Sequence, residues 1–144
     1  MLNLKSLVTK GVLTAMAVVS IGSASIGIVK ANNSDDSGFS FDFEYAGDVC
    51  DTDERAKLDT SAAYMYCTYA DDDSSYYATV FGRSDGTSAK SCSNTYRYYE
   101  GCKRYQSNTV NEEGYDKAFF RAYSSSEFVS CGGVWSPDNV NQYQ

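Results

Sequence analysis

The sequence predicts an all-β protein: a small antiparallel β-sandwich of about six strands that follows a cleaved N-terminal signal peptide. Three observations support this prediction. Several short segments alternate apolar and polar residues, or are rich in Tyr, Thr, Val and Phe. Turn signals recur roughly every ten residues, as they do in sandwiches and barrels. Only one short segment, ending at Gly114, suits a helix.

Residues 1–31 have the layout of a secretory signal peptide. Two lysines precede an apolar run from Gly11 to Val29, and small or medium residues stand before a cleavage site at Asn32. An earlier cut after Ser25 and an uncleaved anchor are the alternatives, although serines and glycines interrupt the apolar run. We therefore expect a secreted, extracellular protein with no membrane span after cleavage.

The rest of the chain is expected to form one domain. Residues 32–38 are polar and are interpreted as a flexible spacer, and residues 39–144 as a single β-rich domain. From residue 32 onward the chain has nine basic and 19 acidic residues, a formal charge of −10. Such a charge repels nucleic acid. The expected partner is an unknown cell-envelope or extracellular component.

The first predicted strand is "FSFDFEY" (39–45), in which aromatic and polar residues alternate without interruption. The charged segment 46–60 has no period and is interpreted as a long connection. The segments "SAAYMYCTYA" (61–70) and "SYYATVFG" (75–82) flank an acidic loop and predict a β-hairpin.

The second half of the chain predicts further strands. Residues 94–101 and 102–110 are weaker strand candidates, and the latter also suits a short helix ending at Gly114. "YDKAFFRAYS" (115–124) alternates again, and "FVSCGGVWS" (128–136) predicts the last strand. In that strand Gly132-Gly133 permits a bend or a close backbone approach. Trp135 is expected to anchor the strand, and Pro137-Asp138 to form a type I turn that ends it.

Catalysis by a nucleophile has little support in this sequence. The chain contains no histidine, which removes the ordinary Ser-His and Cys-His pairs. Acidic residues are abundant, so an enzyme acting on glycans through two carboxylates stays open as an alternative. We expect a protein that is not an enzyme and has no cofactor and no catalytic residue.

Acidic runs at 51–54 and at Asp71, Asp72 and Asp73 are weak calcium candidates, because loop carboxylates supply hard oxygen ligands. Neither run matches a twelve-residue EF-hand loop. A soluble, solvated turn is the simpler interpretation, and we expect no resident metal.

The chain has five cysteines, an odd number, so at most two disulfides form within one molecule. From the placement of the strands we expect the bridges Cys67–Cys92 and Cys102–Cys131. Cys50, in the charged connection, is then the free thiol.

Thirteen tyrosines are an excess for a chain of this length. Tyrosine suits recognition surfaces and stacking on sugars, because it combines a rigid apolar ring with a polar tip. It is also a favoured strand residue, and about half of the tyrosines are expected to be structural.

Three segments carry a family resemblance: "TSAAYMYCT" (60–68), "NEEGYDKAFFRAY" (111–123) and "GVWSPDNV" (133–140). They resemble a family of uncharacterised small secreted proteins of Gram-positive bacteria with a C-terminal GxWSPDSV-like segment. That family transfers no catalytic residue set. A distant analogy in architecture and export links the chain to lactococcin-972-like bacteriocins.

The leading hypothesis is a secreted, non-enzymatic β-sandwich that acts by binding at or outside the cell envelope, with a bacteriocin-like role as its sharpest form. The alternatives are a carboxylate-based glycan-acting enzyme and a calcium-stabilised structural module. Carboxylates that converge in an aromatic-lined cleft would favour the enzyme, whereas aromatic rings on an open face would favour binding.

Overall fold

The computed structural model describes residues 33–139, and this range contains strands and turns but no helix. The chain divides after residue 31 into two compact units, and the described residues belong to the second unit. The predicted signal peptide therefore lies outside the described residues. Ten strands occur within 33–139: β1 Ser37–Phe43, β2 Val49–Asp51, β3 Arg55–Ala56, β4 Ala63–Ala70, β5 Ser75–Arg83, β6 Lys90–Ser91, β7 Tyr96–Tyr99, β8 Lys103–Gln106, β9 Lys117–Tyr123 and β10 Val129–Ser136.

The strands form two antiparallel sheets, and the predicted β-sandwich is confirmed. The four-stranded sheet has the order β1-β10-β4-β8. The six-stranded sheet has the order β2-β9-β5-β6, with β3 also paired to β9 and β7 also paired to β5. No helix long and apolar enough to span a bilayer occurs in this part of the chain.

Aromatic side chains from both sheets fill the space between them. Phe41 of β1 meets Tyr76 of β5 edge-on at 5.7 Å between ring centroids. Phe120 of β9 meets Trp135 of β10 edge-on at 5.8 Å. All four rings are buried, so burial of apolar surface between the sheets is the main stabilising contribution.

The alternation of apolar and polar residues predicted two strands, β1 and β9, and the structure confirms both. In β9, Ala118, Phe120 and Ala122 face the core and are fully buried. In β1, Phe41 and Phe43 are buried. Alternation thus identified both strands and their inner faces, because side chains of a strand point to opposite sides of the sheet.

The predicted hairpin between 61–70 and 75–82 is wrong. Both segments are strands, but β4 belongs to the four-stranded sheet and β5 to the six-stranded sheet. A tight turn, in which the Ser74 N–H donates to the Asp71 carbonyl, carries the chain from one sheet to the other. Each strand has one buried face, so the alternation was correct while the pairing partner was not.

Two other segments differ from their expected structures. The connection 46–60 contains β2 and β3, which pair with β9 and are too short to show a period. Residues 103–106 form β8, and the expected helix is a single turn after it. In that turn the Glu113 N–H donates to the Thr109 carbonyl, and Gly114 adopts a φ of 86°. Glycine tolerates this left-handed conformation, which ends the turn.

The segment interpreted as a spacer contacts the domain from residue 33 onward. The Asn33 amide N–H donates to Asp138 Oδ2 at 2.8 Å, and Arg55 donates to the Asp35 carbonyl. Ser37 and Gly38 already belong to β1. Ordered structure therefore begins before Phe39.

Candidate functional site

An aromatic row crosses the outer face of the six-stranded sheet. Cross-strand register places Val49, Tyr123, Tyr77 and Arg97 side by side on β2, β9, β5 and β7. Their neighbours Tyr76, Ala78 and Ala122 are buried in the core, so the four side chains of the row point outward. We call this set the tyrosine row.

The centre of the tyrosine row is a stacked pair. The rings of Tyr77 and Tyr123 lie 5.2 Å apart between centroids with an interplanar angle of 16°. Val49 beside them is 53% exposed and Tyr123 is 40% exposed. An exposed apolar surface on a rigid sheet offers contact area with little loss of side-chain entropy on binding.

A second row runs parallel to the first on the same face. The guanidinium of Arg121 lies over the rings of Phe81 and Phe119, 4.7 and 5.5 Å from their centroids. Two hydrogen bonds of 2.8 Å hold it to the Asp51 carboxylate. A bidentate pair with this planar geometry fixes the arginine and keeps both phenylalanine rings covered.

The tyrosine row continues into a depression of about 700 Å³ at one end of the sandwich. Arg97 belongs to both, and its Nε donates to Ser75 Oγ at 3.0 Å. The depression combines one aromatic ring with polar and acidic groups. Its lining residues are Ala70, Asp71, Asp73, Ser74, Arg97, Tyr99 and Glu100.

The three aspartates at the tip between β4 and β5 do not converge. Asp71 accepts hydrogen bonds from the Tyr69 hydroxyl and, at 2.8 Å, from the Ser130 N–H. The hydrogen bond from Tyr69, followed by that from Ser130, lowers the pKa of Asp71. Asp72 and Asp73 are exposed. Within residues 33–139 no group of three or more potential ligands could hold a metal ion.

All five cysteines are thiols in this structure, and neither expected disulfide is present. Cys67 lies on β4, whereas Cys92 is held against β5 of the other sheet by a hydrogen bond from its N–H to the Val80 carbonyl. The two were expected to meet after a hairpin that does not form. Burial is the main cause that raises the pKa of the Cys67, Cys92 and Cys131 thiols.

The C-terminal motif is buried rather than exposed. Trp135 anchors β10 in the core, as expected, and is 1% exposed. Pro137 and Asp138, which were expected to form the turn that ends the strand, are both fully buried. The Asp138 carboxylate lies 2.6 Å from Lys57 Nζ, and neither side chain has any exposed surface. Sequence patterns missed this pair because Lys57 lies in a charged segment without a period.

The two antiparallel sheets place the chain in the class of small all-β sandwich folds, a class that hosts many unrelated functions. The chain is a member of a family of proteins of unknown function, DUF2712, whose sequence profile matches residues 27–139. No curated protein and no solved structure shows significant similarity to the chain.

Proposed function

We propose that this protein is a secreted, non-enzymatic binding module that acts at or outside the cell envelope through the tyrosine row. The observation that carries the proposal is the outward-facing Tyr77–Tyr123 stack, in which Tyr123 is exposed and Tyr77 is half-buried, flanked in register by Val49 and Arg97. The part of these rings that stays in contact with water does not contribute to the stability of the fold. A surface of this kind is typical of interaction sites.

Carbohydrate is the partner chemistry that this surface suits best. The apolar faces of sugar rings stack on tyrosine, while Arg97 and the polar depression beside it offer hydrogen bonds to hydroxyl groups. The formal charge of −10 from residue 32 onward disfavours a strongly anionic polymer at long range. We therefore propose a neutral or cationic envelope glycan.

The contacts in the depression support binding over hydrolysis. A glycan hydrolase of the ordinary type needs one carboxylic acid that donates a proton and a second carboxylate. Both oxygens of Asp71 accept hydrogen bonds, and its lowered pKa favours the ionised form, which has no proton to donate. Asp73 and Glu100 are the other acidic residues that line the depression. If the protein were a glycan hydrolase, it would release reducing ends from the polysaccharide, and D73N or E100Q would abolish that release.

The binding test compares two pairs of tyrosines on opposite faces of the sandwich. Tyr64 and Tyr105 also contact each other, at 5.1 Å, but on the four-stranded sheet. We expect Y77A/Y123A to bind purified envelope polysaccharide from the host cells at least about tenfold more weakly than the wild type, since two stacking rings are lost. The matched variant Y64A/Y105A is expected to bind normally. Equal loss in both variants, or in neither, would contradict the proposal.

Secretion has a separate test. We propose that the chain is exported and cut before Asn32, and intact mass measurement of the culture medium should find a chain that begins there. The bacteriocin-like form of the proposal predicts that this mature protein inhibits growth of related cells on a lawn, and that Y77A/Y123A does not. Binding without inhibition of growth would be consistent with the binding-module proposal and would contradict its bacteriocin-like form.

A further inference from the structure

Lys57 and Asp138 form a contact that the binding surface does not use. Lys57 follows β3 and Asp138 follows β10, 81 residues apart in sequence. Nζ of the lysine lies 2.6 Å from Oδ1 of the aspartate, and both side chains are completely buried. The Ser61 carbonyl accepts a second hydrogen bond from Nζ at 2.6 Å. An amine and a carboxyl group are thus pressed together away from solvent.

The distance brings nitrogen close to the carboxyl carbon. Since Oδ1 is bonded to Cγ, Nζ lies within about 4 Å of that carbon, near the ~3–3.5 Å of a reactive contact. The position of Nζ is fixed, because the Asp138 and Ser61 oxygens hold it from two sides. An attack of Nζ on Cγ therefore requires only a small displacement.

The second oxygen of Asp138 has the surroundings of an oxyanion hole. Oδ2 accepts the backbone N–H groups of Asn33 at 2.8 Å and of Leu58 at 3.0 Å. Two fixed N–H donors stabilise the negative charge that develops on such an oxygen when a nucleophile adds to its carbon. The first donor comes from the N-terminal segment and the second from the chain after β3.

A third polar group is placed to carry a proton. Asp59 Oδ1 lies 3.7 Å from Lys57 Nζ. The same oxygen accepts hydrogen bonds from the Ser61 N–H, at 2.8 Å, and from the Ser61 hydroxyl. The Asp59 side chain is 31% exposed, in contrast to the buried pair, so it connects the contact to solvent.

We propose that Lys57 and Asp138 condense to an intramolecular isopeptide bond in the folded protein. The Nζ–Cγ bond forms and the Cγ–Oδ1 bond breaks. Of the three ammonium protons, one stays on the amide nitrogen and two leave with Oδ1 as water, one directly and one through Asp59. No oxidant, metal or co-reactant takes part. The product ties the chain after β3 to the end of β10.

The bond would tie the chain after β3 covalently to the end of β10, and the N-terminal segment stays hydrogen-bonded to the same group through the Asn33 N–H. A covalent loop restricts the unfolded chain and so raises the stability of the folded one. This proposal is independent of the tyrosine row, which lies elsewhere on the six-stranded sheet. An ordinary buried ion pair is the competing outcome.

Intact mass spectrometry of the purified, reduced and denatured mature protein decides between the two. The isopeptide predicts a mass about 18 Da, one water, below that of the sequence, and a branched peptide that joins Lys57 to Asp138. The full sequence mass in the wild type would overturn the proposal, whatever the variants do. A loss of water mapped to any other pair of residues would overturn it as well.

Variants then test the roles within the site. K57R keeps the positive charge but is not expected to condense, so it should show the full mass. D138N should lose ammonia, about 17 Da, instead of water. D59N should fold, as judged by circular dichroism, and react at least about tenfold more slowly if a positioned proton carrier is needed. Full condensation of D59N at the wild-type rate would contradict the role of Asp59.

Discussion

Cys67 and Cys102 face each other across the end of the β4–β8 pair. The Cys67 N–H donates to the Cys102 carbonyl at 2.9 Å, and the Gly101 N–H donates to the Cys67 carbonyl at 2.8 Å. Gly101 has a φ of 85°, which makes this a G1 bulge with Cys67 opposite the two residues 101 and 102. Both cysteines are buried. Paired residues of this type have Cα atoms ~5.5 Å apart, within the range of a disulfide.

The first prediction concerns the order in which cysteines oxidise. Upon incubation with an organic disulfide such as oxidised glutathione, we expect Cys67 and Cys102 to form the first intramolecular bridge, with release of two reduced thiols. Peptide mapping without reduction identifies the bridge. C92S should leave it intact and C102S should abolish it. A Cys67–Cys92 peptide as the main product would show that the strand register is wrong.

The second prediction concerns the stability contributed by the buried pair. K57M leaves the Asp138 carboxylate buried without its cation, whether the native link is ionic or covalent. We expect the free energy of unfolding to fall by ~3–5 kcal/mol. K57M/D138N should recover part of this loss, because the amide oxygen still accepts the two backbone N–H groups and carries no charge. Urea denaturation measures the free energy of unfolding of K57M and of K57M/D138N. A double variant no more stable than K57M would contradict the explanation that an unpaired buried charge destabilises the protein.

The third prediction tests a close backbone approach. A Cβ atom at Gly133 would lie 1.9 Å from the Tyr66 carbonyl oxygen of the adjacent strand, whereas at Gly38 the nearest atom is 3.9 Å away. G133A therefore forces β10 away from β4 and is expected to cost more than ~3 kcal/mol. G38A is the matched control and should have a melting temperature near that of the wild type. Similar melting temperatures for both variants would refute the predicted clash.

The fourth prediction concerns acid stability. The pKa of Asp71 is lowered in the folded protein, mainly by the Tyr69 hydroxyl. A carboxyl with a lowered folded pKa stabilises the protein above its unfolded pKa, and this contribution is lost as the pH falls through the lower folded value. The melting temperatures of wild type and D71N should therefore converge as the pH is taken from 6 to about 2. A difference that stays constant over that range would exclude this linkage.

Much of the fold could be predicted from the sequence, because burial on one face leaves a period of two. Phe41, Phe43 and Phe120 lie in the core as that period indicates. The period does not identify the neighbouring strand, so β4 and β5 were assigned to a hairpin although they lie in different sheets. Because of that single error, the predicted strand arrangement placed Cys92 beside Cys67. Strand pairing depends on turn geometry and long-range packing, which local patterns do not contain.

The candidate site was less predictable than the fold. The excess of tyrosine indicated a recognition surface, but only the register of β5 and β9 places Tyr77 against Tyr123. The Lys57–Asp138 contact was missed for a similar reason. Lys57 lies in a charged connection and Asp138 in a predicted turn, and charged residues in such segments are usually solvated. Their burial is a property of the assembled sandwich alone.

The position of β10 in the middle of the four-stranded sheet has a consequence for when the protein can fold. Its partners β1 and β4 come from the first half of the domain. The four-stranded sheet therefore lacks a central strand until β10 has been synthesised. Contacts between residues so distant in sequence slow folding. For a chain that we propose to be exported, this delay is useful. We expect the four-stranded sheet to stay incomplete, and the chain to remain easier to pass through a translocation channel, until β10 has emerged.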